Sequence, residues 1–88
     1  MRKPRRSKLR IMVDILEVIR SSGGARITEL MRDANMPYDR LMKYLRELED
    51  KGLIVKRGNV YHLTAKGVKF LEEFDRIKKF FDAFGIEI

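Results

Sequence analysis

The side chains able to do chemistry in this chain are mostly cations, and they are unevenly placed. Arg2, Lys3, Arg5, Arg6, Lys8 and Arg10 fall within the first ten positions with no acidic residue among them. Lys56 and Arg57 stand side by side, and outside these two groups the charges sum to −1 of a net +7. An evenly basic surface serves solubility, but cations gathered in one tail and one loop are suited to holding a polyanion. Nucleic acid is favoured over an acidic membrane, because the tail lacks the apolar face of a membrane-surface helix. Nucleophilic, acid–base and metal chemistry find no residues to carry them. His62, the only histidine, has no cysteine or carboxylate cluster at ligand spacing and reads as a surface strand residue. There is no nucleophile–base pair and no phosphate-cradling glycine loop, so neither an enzyme nor a cofactor is expected.

The chain that must position these cations has 88 residues and no cysteine. That bounds one small domain without a disulfide framework, at home in a reducing cytosol. The apolar runs are too short to span a bilayer, and no apolar segment of signal-peptide type follows the basic start. A soluble, cytoplasmic, nucleoid-associated protein is expected, with no membrane partner.

Residues 35–52 form the centre of the plan. Leu41, Leu45 and Leu48 recur at spacings of four and three, which stacks them on one helical face. At about 100° per residue, Asp39, Lys43, Arg46 and Asp50 point the opposite way, with Arg40 and Glu47 on one flank. Pro37 stands where a helix can begin and Gly52 where one can end. Before this helix, Ser7 is placed as the cap of a first helix running to about residue 21. Leu9, Met12, Val13, Leu16 and Ile19 form its inward face, widened by Ile15 and Val18. Ser21-Ser22-Gly23-Gly24 breaks it. A short second helix, about 27–34, turns Ile27, Leu30, Met31 and Ala34 inward, and the tight turn at Asn35-Met36 leads into the central helix. Two helices joined this closely make a helix-turn-helix.

After Gly52 the period changes. Leu53–Lys56 and Val60–Leu63 are short β-branched or aromatic runs around Arg57-Gly58-Asn59, which reads as a β-hairpin, or wing. Thr64 caps a final helix of about 65–84, with Gly85 as its stop. Phe70, Phe74, Ile77, Phe81 and Phe84 follow spacings of 4, 3, 4 and 3, a heptad seam, while Val68 and Leu71 form a second patch suited to the helix's own domain. So many phenylalanines exceed what one small core needs, and a homodimer joined through the seam is expected. The divisions are a flexible basic arm (1–7), a winged helix-turn-helix domain (8–64) and a dimerisation helix (65–85). The fold class is α+β, three helices plus a β-hairpin wing followed by the long C-terminal helix.

In that frame the central helix enters the major groove of double-stranded DNA. Lys43 and Arg46, with Tyr38 and Arg40 near its start, are the candidates for base and phosphate contact. The acids Asp39, Glu47, Glu49 and Asp50 leave the helix near neutrality, so modest sequence specificity is expected. Lys56, Arg57 and Asn59 lie against the backbone or in the minor groove, although Gly58-Asn59 also suits a turn for backbone reasons alone. Arg26 and Thr28 open the second helix, where a phosphate is favoured, and Thr28 is equally a plain cap. The arm residues Arg2, Lys3, Arg5 and Arg6 either track the minor groove or form a solubilising tail. No small-molecule effector is evident.

Two stretches carry a family resemblance. Leu48-Glu-Asp-Lys-Gly-Leu-Ile54 resembles the recognition-helix exit of many winged-helix regulators. Tyr61-His-Leu-Thr-Ala-Lys-Gly-Val-Lys-Phe-Leu71 resembles the second wing strand and final-helix start of small archaeal winged-helix proteins. Over about residues 7–84 the plan is similar to the archaeal ten-kilodalton winged-helix chromatin proteins. The resemblance implies a transcriptional regulator or chromatin-associated protein whose last helices pair as an antiparallel coiled coil. The final helix here is shorter and richer in phenylalanine than that pattern, and the basic arm is an addition to it. A reading from another class stays open, in which the same seam and face recruit a larger transcription or replication assembly. RNA ranks third, because no exposed aromatic sheet is present to stack unpaired bases.

Overall fold

The Ser7 hydroxyl accepts the Arg10 backbone N–H at 3.0 Å and so satisfies one of the donors left open at a helix start. From it, in the computed structural model, which describes residues 6–88, α1 runs Lys8–Ser22. Its buried side chains are Ile11, Met12, Val13, Ile15, Leu16 and Ile19. Leu9, expected among them, is 49% exposed. By the helical angle Leu9 is on the buried side, but it stands in the first turn of α1.

α2 (Ile27–Asp33) and α3 (Tyr38–Asp50) are joined by a turn in which Asn35 takes the left-handed conformation, φ 53°. The Met36 N–H reaches back to the Met31 carbonyl at 3.0 Å, and the Met36 side chain is buried under the turn. Pro37 is the extended residue just before α3, not its first helical residue. Leu41, Leu45 and Leu48 are fully buried, as their spacing requires. At the exit, Gly52 (φ 74°) donates to Glu49 O at 2.9 Å and Leu53 donates to Leu48 O at 3.0 Å. This left-handed cap turns the chain sharply into the wing.

The wing pairs β1 (Ile54–Arg57) with β2 (Val60–Leu63) in antiparallel register, Ile54 opposite Leu63 and Arg57 opposite Val60. Gly58-Asn59 is the two-residue connection. A third segment, absent from the sequence reading, completes the sheet: Ala25 N–H donates to Tyr61 O at 3.0 Å, and Tyr61 N–H donates to Ala25 O at 2.8 Å. These bonds tie the wing to the start of the helix-turn-helix, and they bring the backbone of Gly24 against the His62 ring. A Cβ at Gly24 would lie 2.7 Å from that ring.

α4 (Ala65–Ala83) begins at Thr64, whose hydroxyl accepts the Gly67 N–H at 3.0 Å and donates to Gly52 O at 2.6 Å. The Lys66 ammonium donates to Lys51 O at 2.7 Å. Gly67 is packed so closely that a Cβ there would collide with the Leu53 carbonyl oxygen. The α3 exit and the α4 start are therefore one fastened joint. Beyond it α4 turns Leu71 and Phe74 into the core shared by all the helices and the wing. This corrects the seam at Phe74, which is 7% exposed within its own chain, and the inward patch at Val68, which is 41% exposed. Phe70 and Phe81 are half-buried, and Ile77, Phe80 and Phe84 are exposed. The core is wholly apolar: among the described residues no polar or charged side chain is buried.

Candidate nucleic-acid interface

The outer face of α3 carries the cations expected of it. Arg40, Lys43 and Arg46 are exposed, and among the described residues none of them is held in an ion pair. Tyr38, at the start of the helix, is 51% exposed. The acids on the same helix divide. Asp39, Glu49 and Asp50 are exposed, but Glu47 is half-buried on the flank, 2.9 Å from the Lys8 ammonium and 3.6 Å from that of Lys51. The hydrogen bond from Lys8 holds the Glu47 carboxyl below the ordinary carboxylate range, with the charges of Lys8 and Lys51 adding to it. One of the acids that neutralise α3 is thus itself neutralised, from the start of α1.

The opposite flank of α3 meets the wing. Tyr61 is 1% exposed, and burial pushes its phenol above its usual pKa, with the Glu49 carboxylate acting in the same direction and Arg46 against it. The Lys56 ammonium sits 5.8 Å from the Tyr61 ring centroid, a cation–π distance. Lys56, Arg57 and Asn59 are all exposed at the wing. α3 is therefore bracketed, with Lys8 on one flank and the wing cations on the other.

Arg26 and Thr28 are exposed, but α2 begins differently from expectation. Arg26 occupies the cap position, and its N–H donates to the Glu29 carboxylate at 3.2 Å. Thr28 is inside the helix and is not its cap. The Glu29 carboxylate already stands where a phosphate would sit, which weakens Arg26 and Thr28 as a phosphate cradle. Arg2, Lys3 and Arg5 lie outside the described residues. Arg6 does not project as a free cation. Its Nη1 donates to Asp14 Oδ2 and to the Ala34 carbonyl, each at 3.1 Å.

Sequence reasoning missed the Ala25 bridge, the Lys8–Glu47 pair and the tie at Arg6. The first is too short for any period to show. The other two join residues 39 and 28 positions apart, beyond the reach of local spacing. Among the described residues no group of metal-ligating side chains occurs, and no helix is long and apolar enough to cross a membrane.

A tri-helical domain with a bridged β-hairpin following the second helix of the helix-turn-helix is the architecture of winged-helix proteins, and residues 5–81 match the winged helix-turn-helix family model. The chain belongs to the winged helix-turn-helix family. Over 72 residues it is 35% identical to the HTH-type transcriptional activator ArnR1 of Sulfolobus acidocaldarius, covering 81% of this chain and 27% of that protein. It spans about a quarter of that relative's length. Among solved structures it is similar to ligand-free NadR, with a TM-score of 0.73 and 28% identity over 84% of this chain and 58% of that one. NadR in complex with 4-hydroxyphenylacetate matches with the same TM-score at 27% identity. Sso10a-2, a DNA-binding protein from Sulfolobus solfataricus, matches with a TM-score of 0.66 and 28% identity over 91% of this chain and 90% of its own. The two Sulfolobus proteins agree with the resemblance to archaeal winged-helix proteins drawn from the sequence.

Proposed function

We propose that this chain is a non-enzymatic, double-stranded DNA-binding protein that acts as a homodimer in transcriptional regulation or chromatin association. The observation that carries the reading is the exposed set Arg40, Lys43 and Arg46 on α3, none of them ion-paired among the described residues, flanked by Lys56 and Arg57 at the wing. In this family's geometry such a helix enters the major groove and the wing lies along the backbone. A transcriptional activator and a DNA-binding protein among the relatives support the same conclusion. α3 still exposes Asp39, Glu49 and Asp50. Like charges against phosphate limit the contacts it makes, so sequence preference is modest.

The homodimer rests on α4. Ile77, Phe80 and Phe84 expose 49%, 60% and 69% of their surface, with the half-buried Phe81 among them. The Phe80 ring lies 5.6 Å from Phe81 and 5.2 Å from Phe84, centroid to centroid. Toward the start of the same helix, an apolar groove of about 560 Å³ runs between Leu53 and Phe70, rimmed by Lys66 and Lys69. An antiparallel pairing centred on Ile77 sets Phe84 of one copy opposite Phe70 of the other, seven residues to either side. A second copy therefore fills the groove and covers the stripe together.

Gel-shift titration on random duplex tests the first half. Saturable binding at low salt is expected, and no shift at tens of micromolar favours instead a module that recruits a protein assembly. Sedimentation of Ile77→Glu with Phe84→Glu tests the second half. Both positions are exposed, so the domain stays folded while the dimer becomes a monomer. A wild-type monomer would remove the seam from the reading.

A further inference from the structure

We infer that Arg6 and Lys8 are positioning residues that staple the root of the basic N-terminal segment to the helix-turn-helix, through Asp14, the Ala34 carbonyl and Glu47. The inference rests on the DNA-binding reading and assigns these side chains a role different from direct phosphate contact.

The geometry is specific. Arg6 bridges two elements, reaching Asp14 on α1 and the carbonyl that ends α2, each at 3.1 Å. Asp14 is shared: its other oxygen holds Arg10 at 3.4 Å. One residue past the Ser7 cap, Lys8 crosses to Glu47 on α3 at 2.9 Å. Three successive residues are thus fixed, to α1 and α2, to the α1 start, and to α3. Side-chain exposure at the Arg6–Asp14 pair is 33% and 25%, which puts it partly out of solvent, where a charge-assisted hydrogen bond is stronger than at an open surface. The Glu47 flank of α3 also carries Arg40. Lys8 therefore meets α3 on the flank that carries Arg40, two residues after the Arg6 tie.

An untethered segment of the same charge has to be ordered at the moment of binding, and fixing its root removes part of that cost. The acids Asp14 and Glu47 then favour DNA binding, although each carries the same sign of charge as phosphate. This reverses the expectation from charge alone and makes the inference testable by sign.

The test compares Asp14→Asn and Glu47→Gln with the wild type, each with and without residues 1–5, by titration on one duplex at fixed salt. Each substitution removes a negative charge, so electrostatics alone demands equal or tighter binding. The staple demands weaker binding, by roughly three- to tenfold, for a partly exposed ion pair that acts through a second segment. It also demands that the loss disappear in the proteins lacking residues 1–5. Equal or tighter binding by both variants overturns the inference. A second readout needs no DNA. Because the chain has no cysteine, Lys3→Cys accepts a single nitroxide label. In the otherwise native protein, amide signals of residues 40–44 are expected to broaden, and Asp14→Asn should reduce that broadening while the melting curve stays cooperative. Absence of broadening there in the native background overturns the staple. If the wild type binds no duplex, the DNA reading fails, and the label experiment still decides the staple.

Discussion

Glu47 shows how far a side chain's role departs from its sign of charge. By charge alone it is one of four acids on α3; in the folded chain it is held by Lys8 at 2.9 Å and its carboxyl pKa is lowered. A lowered folded-state pKa means that the unfolded chain binds a proton first as the pH falls. The stability this pair contributes is complete above the ordinary glutamate value of about 4.3 and is lost as pH drops through the folded value. Lys8→Met should therefore raise the Glu47 titration midpoint in a carboxyl-resolved NMR experiment and shift the onset of acid unfolding upward. An unmoved midpoint would mean that Lys51, 3.6 Å away, is enough to hold the carboxylate. Arg6 teaches the converse lesson. Its type and neighbours in sequence mark it as one more arm cation, and only the three-dimensional approach of Asp14 and Ala34 shows that it is occupied.

At the scale of elements, what was legible is what obeys a period. The α3 leucines repeat every three to four residues and are all fully buried, and Ser7 and Thr64 cap the helices they precede. The face of α4 was not legible, for a geometric reason. From Val68 through Leu71 round to Phe80 its apolar side chains span roughly 240° of the helix at 100° per residue, so periodicity alone does not say which part turns inward. The fold decides, through the joint at the α4 start. Gly67 touching the Leu53 carbonyl, with Thr64 bonded to Gly52 O, fixes the helix's rotation so that Leu71 and Phe74 face the core. Gly67→Ala forces the joint open, an overpacking cost of about 1–3 kcal/mol. At roughly 4–8 °C per kcal/mol for a domain this small, the melting temperature should fall by several degrees or more. Phe74→Ala should cost about 3–5 kcal/mol as a buried aromatic. Thermal melts of the two variants check both numbers, and a neutral Gly67→Ala would show that the joint has slack.

Over the whole molecule, affinity for DNA is expected to come from cations spread along a bracketed surface more than from α3 alone. The α3 charges nearly cancel, while Lys56 and Arg57 at the wing and the residues preceding Arg6 supply five positive charges against a net of +7. Each phosphate neutralised releases counterions, so the logarithm of affinity falls with the logarithm of salt at about 0.9 per contact. Arg2, Lys3 and Arg5 together then account for a slope of roughly 2 to 3 per protomer, if each reaches a phosphate. The cut must be made after Arg5, because removing Arg6 also frees Asp14 and the Ala34 carbonyl and so alters the helix-turn-helix. Titrations of the protein lacking residues 1–5, at several salt concentrations, should show a slope flatter by that amount and little change in melting temperature. Arg57→Gln should flatten the slope by about 0.9 on its own, uniformly across duplex sequences, as a backbone contact does. A truncated protein with an unaltered slope would assign the whole electrostatic term to α3 and the wing, and would leave the basic segment as a solubilising tail.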